Sequence, residues 1–374
     1  MAAQGLDVAI FTVEEPDFDT PDNVAQAGHR AIQAGRTRST PAAGTPELRR
    51  AVAEKLSTEN GIDCEPDQVL VSNGARQALY MMMLCLVDQG DQVLLPAPYR
   101  AGYAAQARAC GAEVVPVDTT GEDGCKLTPE ALRMAVTDRS KLLIINSPNN
   151  PTGTVLTEGE LRDIVEVALE HDLWILSDET YEKFIYDPLE HASPAAFGER
   201  APERLVTVNG VSRTYAMGGW RIGYAAGPPE VIEAATNLQG NLTGGPNSIA
   251  QHAALEALTG SQESVEEMRE TFAGRRRVLV GGLNEIAGLS CPVPQGAFYA
   301  FPDFSRLIGK SCGGRELTDD AELCSALLEE VQVAVVPGSA FGAPGYLRFS
   351  YAIDEASIEK GLERLERFVE MCQS

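Results

Sequence analysis

In a chain of 374 residues, 54 Asp and Glu against 30 Lys and Arg give a formal net charge of -24, which argues against a partner held through nucleic-acid phosphates or an anionic membrane surface. Positive groups in any binding site must therefore be local. The length allows a sizeable core, with room for one large and one small domain. No apolar run reaches the roughly 18 residues of a membrane span, and the opening MAAQGLDVAIF lacks the basic start and small-residue cleavage pattern of a signal peptide, so a cytoplasmic protein is expected. The eight cysteines (Cys64, Cys85, Cys110, Cys125, Cys291, Cys312, Cys324, Cys372) never fall in a CxxC pair. That argues against a zinc knuckle or redox dithiol, and no metal site is expected.

From about Pro46 to Leu258 short apolar strands alternate with helical stretches, the pattern of an α/β fold with a mostly parallel sheet sandwiched by helices. The helix PELRRAVAEKL opens with Thr45 as N-cap and Pro46 at its first position. Predicted strands are QVLVSN, QVLLPAP, EVVPV, KLLIINS, WILSDE, RLVTVN and RIGYAAG; the helix GELRDIVEVALEHD carries apolar residues at three-to-four spacing. An amphipathic run from about Ser261 to Ile286 leads into a region with fewer strands (GAFYAF, VAVVP, YLRFSY), closed by the helix DEASIEKGLERLERFVEM. The expected division is a large domain over 39–270 and a smaller α/β domain from 1–38 and 271–374.

In such sheets ligands bind beyond the carboxyl ends of the strands, where loops and helix N-termini converge. QVLVSN ends in Gly74-Ala75-Arg76 and runs into a helix whose free N–H groups and dipole suit a phosphate, though SNGA is also a common helix start. KLLIINS ends in a rigid Pro-rich turn presenting Asn150, which alone reads as a turn. WILSDE ends in Asp178 with Tyr181 three residues on, either a carboxylate beside a phenol or a helix cap and a packing tyrosine.

The ordered set is more specific than its parts: VEEPDFDTP, TPAAGTPELR, SNGARQA, LLPAPY, SPNNPTG, SDETYEKF, SRTYAMGGWRIGYAAGP, PQGAFYAF, VVPGSAFG and YLRFSYA. Across nearly the whole chain it resembles the aspartate-aminotransferase-like branch of the class I/II aminotransferases, fold-type-I pyridoxal-phosphate enzymes. The resemblance implies a homodimer acting on a small molecule. It implies that the backbone at Gly74 and Ala75 and the guanidinium of Arg221 hold the cofactor phosphate, and that Asp178 pairs with the pyridine nitrogen. Asn150 and Tyr181 would bond the ring's phenolic oxygen, with Arg76, Tyr99 and Ser212 completing the cofactor set. Arg348 matches the arginine that grips the substrate's α-carboxylate, with Glu14, Arg100 and Asn150 beside it.

The sequence departs from the family pattern at several of these places. Arg213 stands where the family keeps its Schiff-base lysine, and a guanidinium stays protonated above pH 12. Glu14, Ser39 and Arg100 replace the family's glycine, tyrosine and ring-stacking aromatic, and the chain starts just ahead of the first block, so the family's N-terminal arm is expected to be missing. Neither the remaining lysines (Lys55, Lys126, Lys141, Lys183, Lys310, Lys360) nor the histidines offer an evident replacement base. The expectation is a biosynthetic enzyme that binds pyridoxal or pyridoxamine phosphate non-covalently and works by non-standard chemistry, with Arg213, Tyr181 and Asp178 as its catalytic groups. One alternative is a cofactor-independent enzyme in which Arg100 and Arg213 pair with Asp178 and Glu14 to receive an anion; another is a non-catalytic partner.

Overall fold

The computed structural model describes residues 5, 7–119, 124–198 and 201–373. A short strand β1 (Ala9–Ile10) and helix α1 (Asp22–Gln33) precede helix α2 (Pro46–Asn60), whose first turn is capped as expected: Thr45 Oγ1 accepts from the Leu48 N–H at 3.4 Å. Seven strands then build one sheet: β2 (Val69–Ser72), β3 (Gln92–Ala97), β4 (Glu113–Asp118), β5 (Ser140–Asn146), β6 (Trp174–Asp178), β7 (Leu205–Gly210) and β8 (Gly223–Ala226), in the order β2-β8-β7-β6-β5-β3-β4. Each coincides with a predicted strand. Helices α3 (Ala75–Leu86) and α4 (Ala101–Ala109) follow β2 and β3.

Pleating divides the sheet's apolar residues between two faces. In β5, Leu143 and Ile145 join the core on one side and Leu142 and Ile144 the core on the other. Burial on both faces explains why these strands read as unbroken apolar runs. A further core gathers Phe11, Phe184, Phe272, Phe298 and Phe349 around strand β9 (Tyr299–Ala300), which pairs antiparallel with 347–350. Within it Phe272 meets Phe184 edge-on, centroids 5.2 Å apart. Strand β1 joins this second body by pairing in parallel with 333–334, whereas α1 packs on the helix Ser248–Thr259 and buries Val24 in the core of the large sheet. No helix among the described residues is long and apolar enough to cross a membrane.

Register sets the functional edge. Asn146 at the end of β5 is paired with Asp178 at the end of β6, and Asp178 with Val208 of β7, so three parallel strands finish side by side. Strand β8 runs the other way, pairing Gly223 with both Ser72 and Gly210. Its beginning therefore lies on the edge where its neighbours end.

Behind that edge lies a buried polar network. The Lys55 ammonium of α2 forms an ion pair with Glu182 and bonds Asn60 Oδ1 at 2.7 Å; Asn60 Nδ2 donates to Glu182 Oε2 at 2.8 Å. Glu179 accepts from Ser193 Oγ at 2.7 Å and meets His191 Nε2 at 2.9 Å. Burial opposes ionisation of Glu182, but Lys55, then His191 and Lys183, outweigh it and bring its pKa to about 2 from 4.5. Because the folded value lies below the unfolded one, this group stabilises fully above about pH 4.5 and loses its contribution as pH falls toward 2. Lys55→Met, which leaves Glu182 buried without its cation, is expected to cost about 3–5 kcal/mol in urea unfolding at pH 7. The gap to the unmutated protein should narrow as the pH drops through 4.5.

Candidate active site

The reversed direction of β8 brings two distant segments together. Gly74 caps α3 at φ 89°, and a Cβ there would lie 2.6 Å from Nη2 of Arg221. Arg221, itself at φ 59°, donates from Nη1 to the Gly218 carbonyl at 2.8 Å and from Nη2 to the Asn73 carbonyl at 3.5 Å. A Cβ on Gly223 would come within 2.1 Å of the Ala75 nitrogen, so a side chain there would push the helix start away. The first N–H groups of α3, at Ala75 and Arg76, have no intrahelical acceptor and stand at the positive end of its dipole. Gly74, Ala75, Arg76, Ser212, Arg213 and Arg221 share the walls of one cleft of about 240 Å³ with Glu14, Arg100, Asp178 and Tyr181.

Asp178 is only 3% exposed. Its Oδ2 accepts from the Tyr103 hydroxyl at 2.6 Å, and its Oδ1 from the Thr180 N–H and Oγ1 at 3.2 and 2.7 Å. Among the described residues no cationic side chain lies within 4 Å of it. Burial, and next the charge of Asp178, push the Tyr103 phenol well above its ordinary pKa, so it remains a donor. Sequence reasoning missed Tyr103 and selected Tyr99. The Tyr99 ring lies beside Gly342 and lines a small pocket with Tyr103, Asn146, Cys125 and Leu127, outside the walls of the cleft.

Asn150 is fully buried. Its N–H donates to Asn146 Oδ1 at 2.9 Å, its Nδ2 to the Tyr181 hydroxyl at 3.4 Å, and its Oδ1 accepts from Arg348 Nη1 at 3.0 Å. Asn146, also missed, ties the turn to β6 by donating to the Asp178 carbonyl at 2.9 Å. The Tyr181 hydroxyl shares a 2.9 Å hydrogen bond with that of Tyr299, a third residue not foreseen, and accepts from Arg213 Nε at 3.4 Å. Burial works against the charge of Arg213, but attraction to Tyr181 and Tyr299, the Tyr181 hydrogen bond and Glu14 outweigh it, so its pKa is raised.

Arg348 is 2% exposed, with its guanidinium 4.6 Å from the Tyr299 ring centroid and 5.0 Å from that of Phe341. Nη1 donates to Glu14 Oε1 at 3.0 Å, and Nη2 to the Thr12 carbonyl at 3.2 Å. Burial opposes the charge of Glu14, yet Arg348, then Arg100, outweigh it and lower its pKa. The second carboxylate oxygen of Glu14 lies 3.9 Å from Arg76.

The pairing of Arg100 and Arg213 with Asp178 and Glu14 that the cofactor-independent alternative requires is not formed within 4 Å. Tyr103 and Thr180 already occupy the oxygens of Asp178, and Arg348 and Arg76 are nearest to Glu14. No lysine lines the cleft or the wider hollow beside it among the described residues: Lys183 points away to Glu59 at 2.7 Å, and Lys126 to Glu160. Gly223→Ala is expected to destabilise the fold by about 1–3 kcal/mol and to displace the start of α3, measured by thermal unfolding and by a crystal structure of the variant.

The model of the family "Aminotransferase class I and II" matches residues 7–365. The aspartate/prephenate aminotransferase of Cereibacter sphaeroides is 47% identical, over 98% of this chain and 92% of its own. The aspartate aminotransferase of Bacillus subtilis is 43% identical, over 99% and 93%. Among solved structures, the aspartate aminotransferase of Rhizobium meliloti superposes with a TM-score of 0.96 at 42% identity, over 99% of this chain and 93% of that one. That of Thermus thermophilus with maleate gives 0.92 at 43%, over 98% and 93%. Likeness of this extent overturns the expectation of non-standard, lysine-free chemistry with a cofactor held non-covalently or not at all. It equally disfavours the cofactor-independent enzyme and the non-catalytic partner. Ordinary amino transfer is the reaction these relatives point to.

Proposed function

The chain belongs to the class I and II aminotransferases, and from that membership we propose that it moves an amino group between an amino acid and a 2-oxo acid, with pyridoxal phosphate as cofactor and dicarboxylates as preferred substrates. Aspartate, in the names of its relatives, and maleate, in a related structure, are both dicarboxylates. The observation that carries the reading is the buried Asp178 carboxylate, with no cationic side chain within 4 Å among the described residues, opening on the same cleft as the Gly74–Arg221 cradle. A phosphate on a positive pyridinium would fill both needs, and a Cβ at Gly74 would close the cradle.

In this reading Gly74, Ala75, Ser212 and Arg221 hold the cofactor's phosphate, Asp178 keeps a proton on the pyridine nitrogen, and Asn150 and Tyr181 bond the phenolic oxygen. Bound there, the cofactor supplies an electron sink for the substrate's α-carbon. Tyr103 and Thr180 fix the orientation of the Asp178 carboxylate. Arg348 receives the α-carboxylate through its fork of donors. Arg213 contributes fixed charge and a hydrogen bond to Tyr181 but cannot take up a proton. The division near 39 and 270, with α1 moved to the larger unit, and a cytoplasmic homodimer belong to the same proposal.

With added pyridoxal phosphate, L-aspartate and 2-oxoglutarate, the purified protein is expected to form L-glutamate, followed by chromatography. Arg348→Gln should lower kcat/KM by about 10- to 150-fold, the loss of a charge-assisted hydrogen bond worth about 1.5–3 kcal/mol. Arg213→Lys, which restores an amine able to exchange protons, should raise turnover by about 10²–10⁴-fold. Absence of amino transfer in both the protein and the Arg213→Lys variant, across aspartate, glutamate and aromatic amino acids, would refute the reading.

A further inference from the structure

One of the two side-chain acceptors 3.0 Å from Arg348 Nη1 is itself a carboxylate. Glu14 places one oxygen on Nη1 at 3.0 Å, so a group of the same chemistry as a substrate's α-carboxylate already lies on the arginine assigned to receive it. Only one oxygen of Glu14 is engaged there. The Arg348 Nε–H has no hydrogen-bond partner among the described residues although it is buried, and Nη2 is satisfied by a carbonyl at 3.2 Å. A buried guanidinium with an unmet donor is under-served by its present occupant.

The surroundings also give Glu14 somewhere to go. Its side chain is 32% exposed, and it lines both the 240 Å³ cleft and an adjoining hollow of about 570 Å³, which Arg348, Arg76 and Arg100 line as well. Arg76 is 63% exposed and only 3.9 Å from the free oxygen of Glu14, so a short swing keeps the carboxylate beside a cation.

We propose that Glu14 is an internal occupant of the substrate carboxylate subsite, displaced toward Arg76 when a substrate's α-carboxylate takes Arg348, and that it thereby sets the affinity of this chain for carboxylates. The proposal rests on the reading that Arg348 binds substrate. An occluded subsite lowers apparent affinity by the fraction of time it is open. A Glu14 that closes Arg348 nine-tenths of the time would weaken binding about tenfold. A substrate with a second anionic group has Arg100 on the wall of the hollow into which its far end would extend.

The test is calorimetric titration of maleate, an unreactive dicarboxylate, into the protein as purified with added pyridoxal phosphate. Glu14→Gln and Glu14→Gly should each tighten maleate binding about tenfold or more. Glu15→Gln, which removes a charge from the same cleft without vacating Arg348, should leave it within about twofold, and Arg348→Gln should abolish the gain made by Glu14→Gly. Equal tightening by the Glu14 and Glu15 variants would reduce the effect to bulk charge and overturn the proposal. Unchanged or weaker binding in both Glu14 variants would overturn it as well. Maleate binding that ignores Arg348→Gln would overturn the substrate-binding reading of Arg348, and this proposal with it. Circular dichroism of each variant shows that the comparison is between folded proteins.

Discussion

A guanidinium buried where Arg348 lies must be answered by nearby acceptors, because an unpaired interior charge is among the most costly features a fold can carry. Its answers come from every part of the molecule: Glu14 and Thr12 from the N-terminal segment, Asn150 from the turn after β5, and the ring faces of Tyr299 and Phe341 from the second body. The requirement that these meet on one side chain locks the N-terminal segment and the second body onto the edge of the sheet. The cleft is the space they enclose.

The sheet's topology supplies the rest. Parallel strands β5, β6 and β7 finish together, and antiparallel β8 begins on the same edge, so Asp178, Ser212, Arg213, Arg221 and Gly74 converge although about 150 residues separate the first of them in the chain from the last. The Lys55 network beneath the edge holds Glu179, inside the Asp178–Tyr181 turn, and Glu182, just after it, and thereby fixes the direction in which that turn faces.

The large sheet was legible because its strands are buried on both faces and announce themselves as continuous apolar runs, and α2 because Thr45 and Pro46 mark its start. The strand ends that carry Gly74, Asn150 and Asp178 were legible for the same reason. Tyr103 was not: it sits in the first turn of a helix, 75 residues from the carboxylate it bonds, and nothing local distinguishes it from Tyr99. The charge pairing of the cofactor-independent alternative fails because sequence places Arg100 and Arg213 near Glu14 and Asp178 without showing which partner arrives first; Tyr103, Thr180 and Arg348 do. Weighting the one position at Arg213 above the likeness of the whole chain led the functional expectation away from amino transfer.

The attachment of the N-terminal segment has a mechanical side. Ala9 and Phe11 donate to the carbonyls of Gln332 and Ala334, and Ser350 to that of Phe11, so Glu14 and Arg348 hang from one stiff frame while Asn150 belongs to the other. Any hinging between the two frames would carry the ion pair along as a preassembled unit and strain the hydrogen bonds that cross between them, Arg348–Asn150 and Tyr181–Tyr299 among them. Those bonds together form the latch that any opening would have to release.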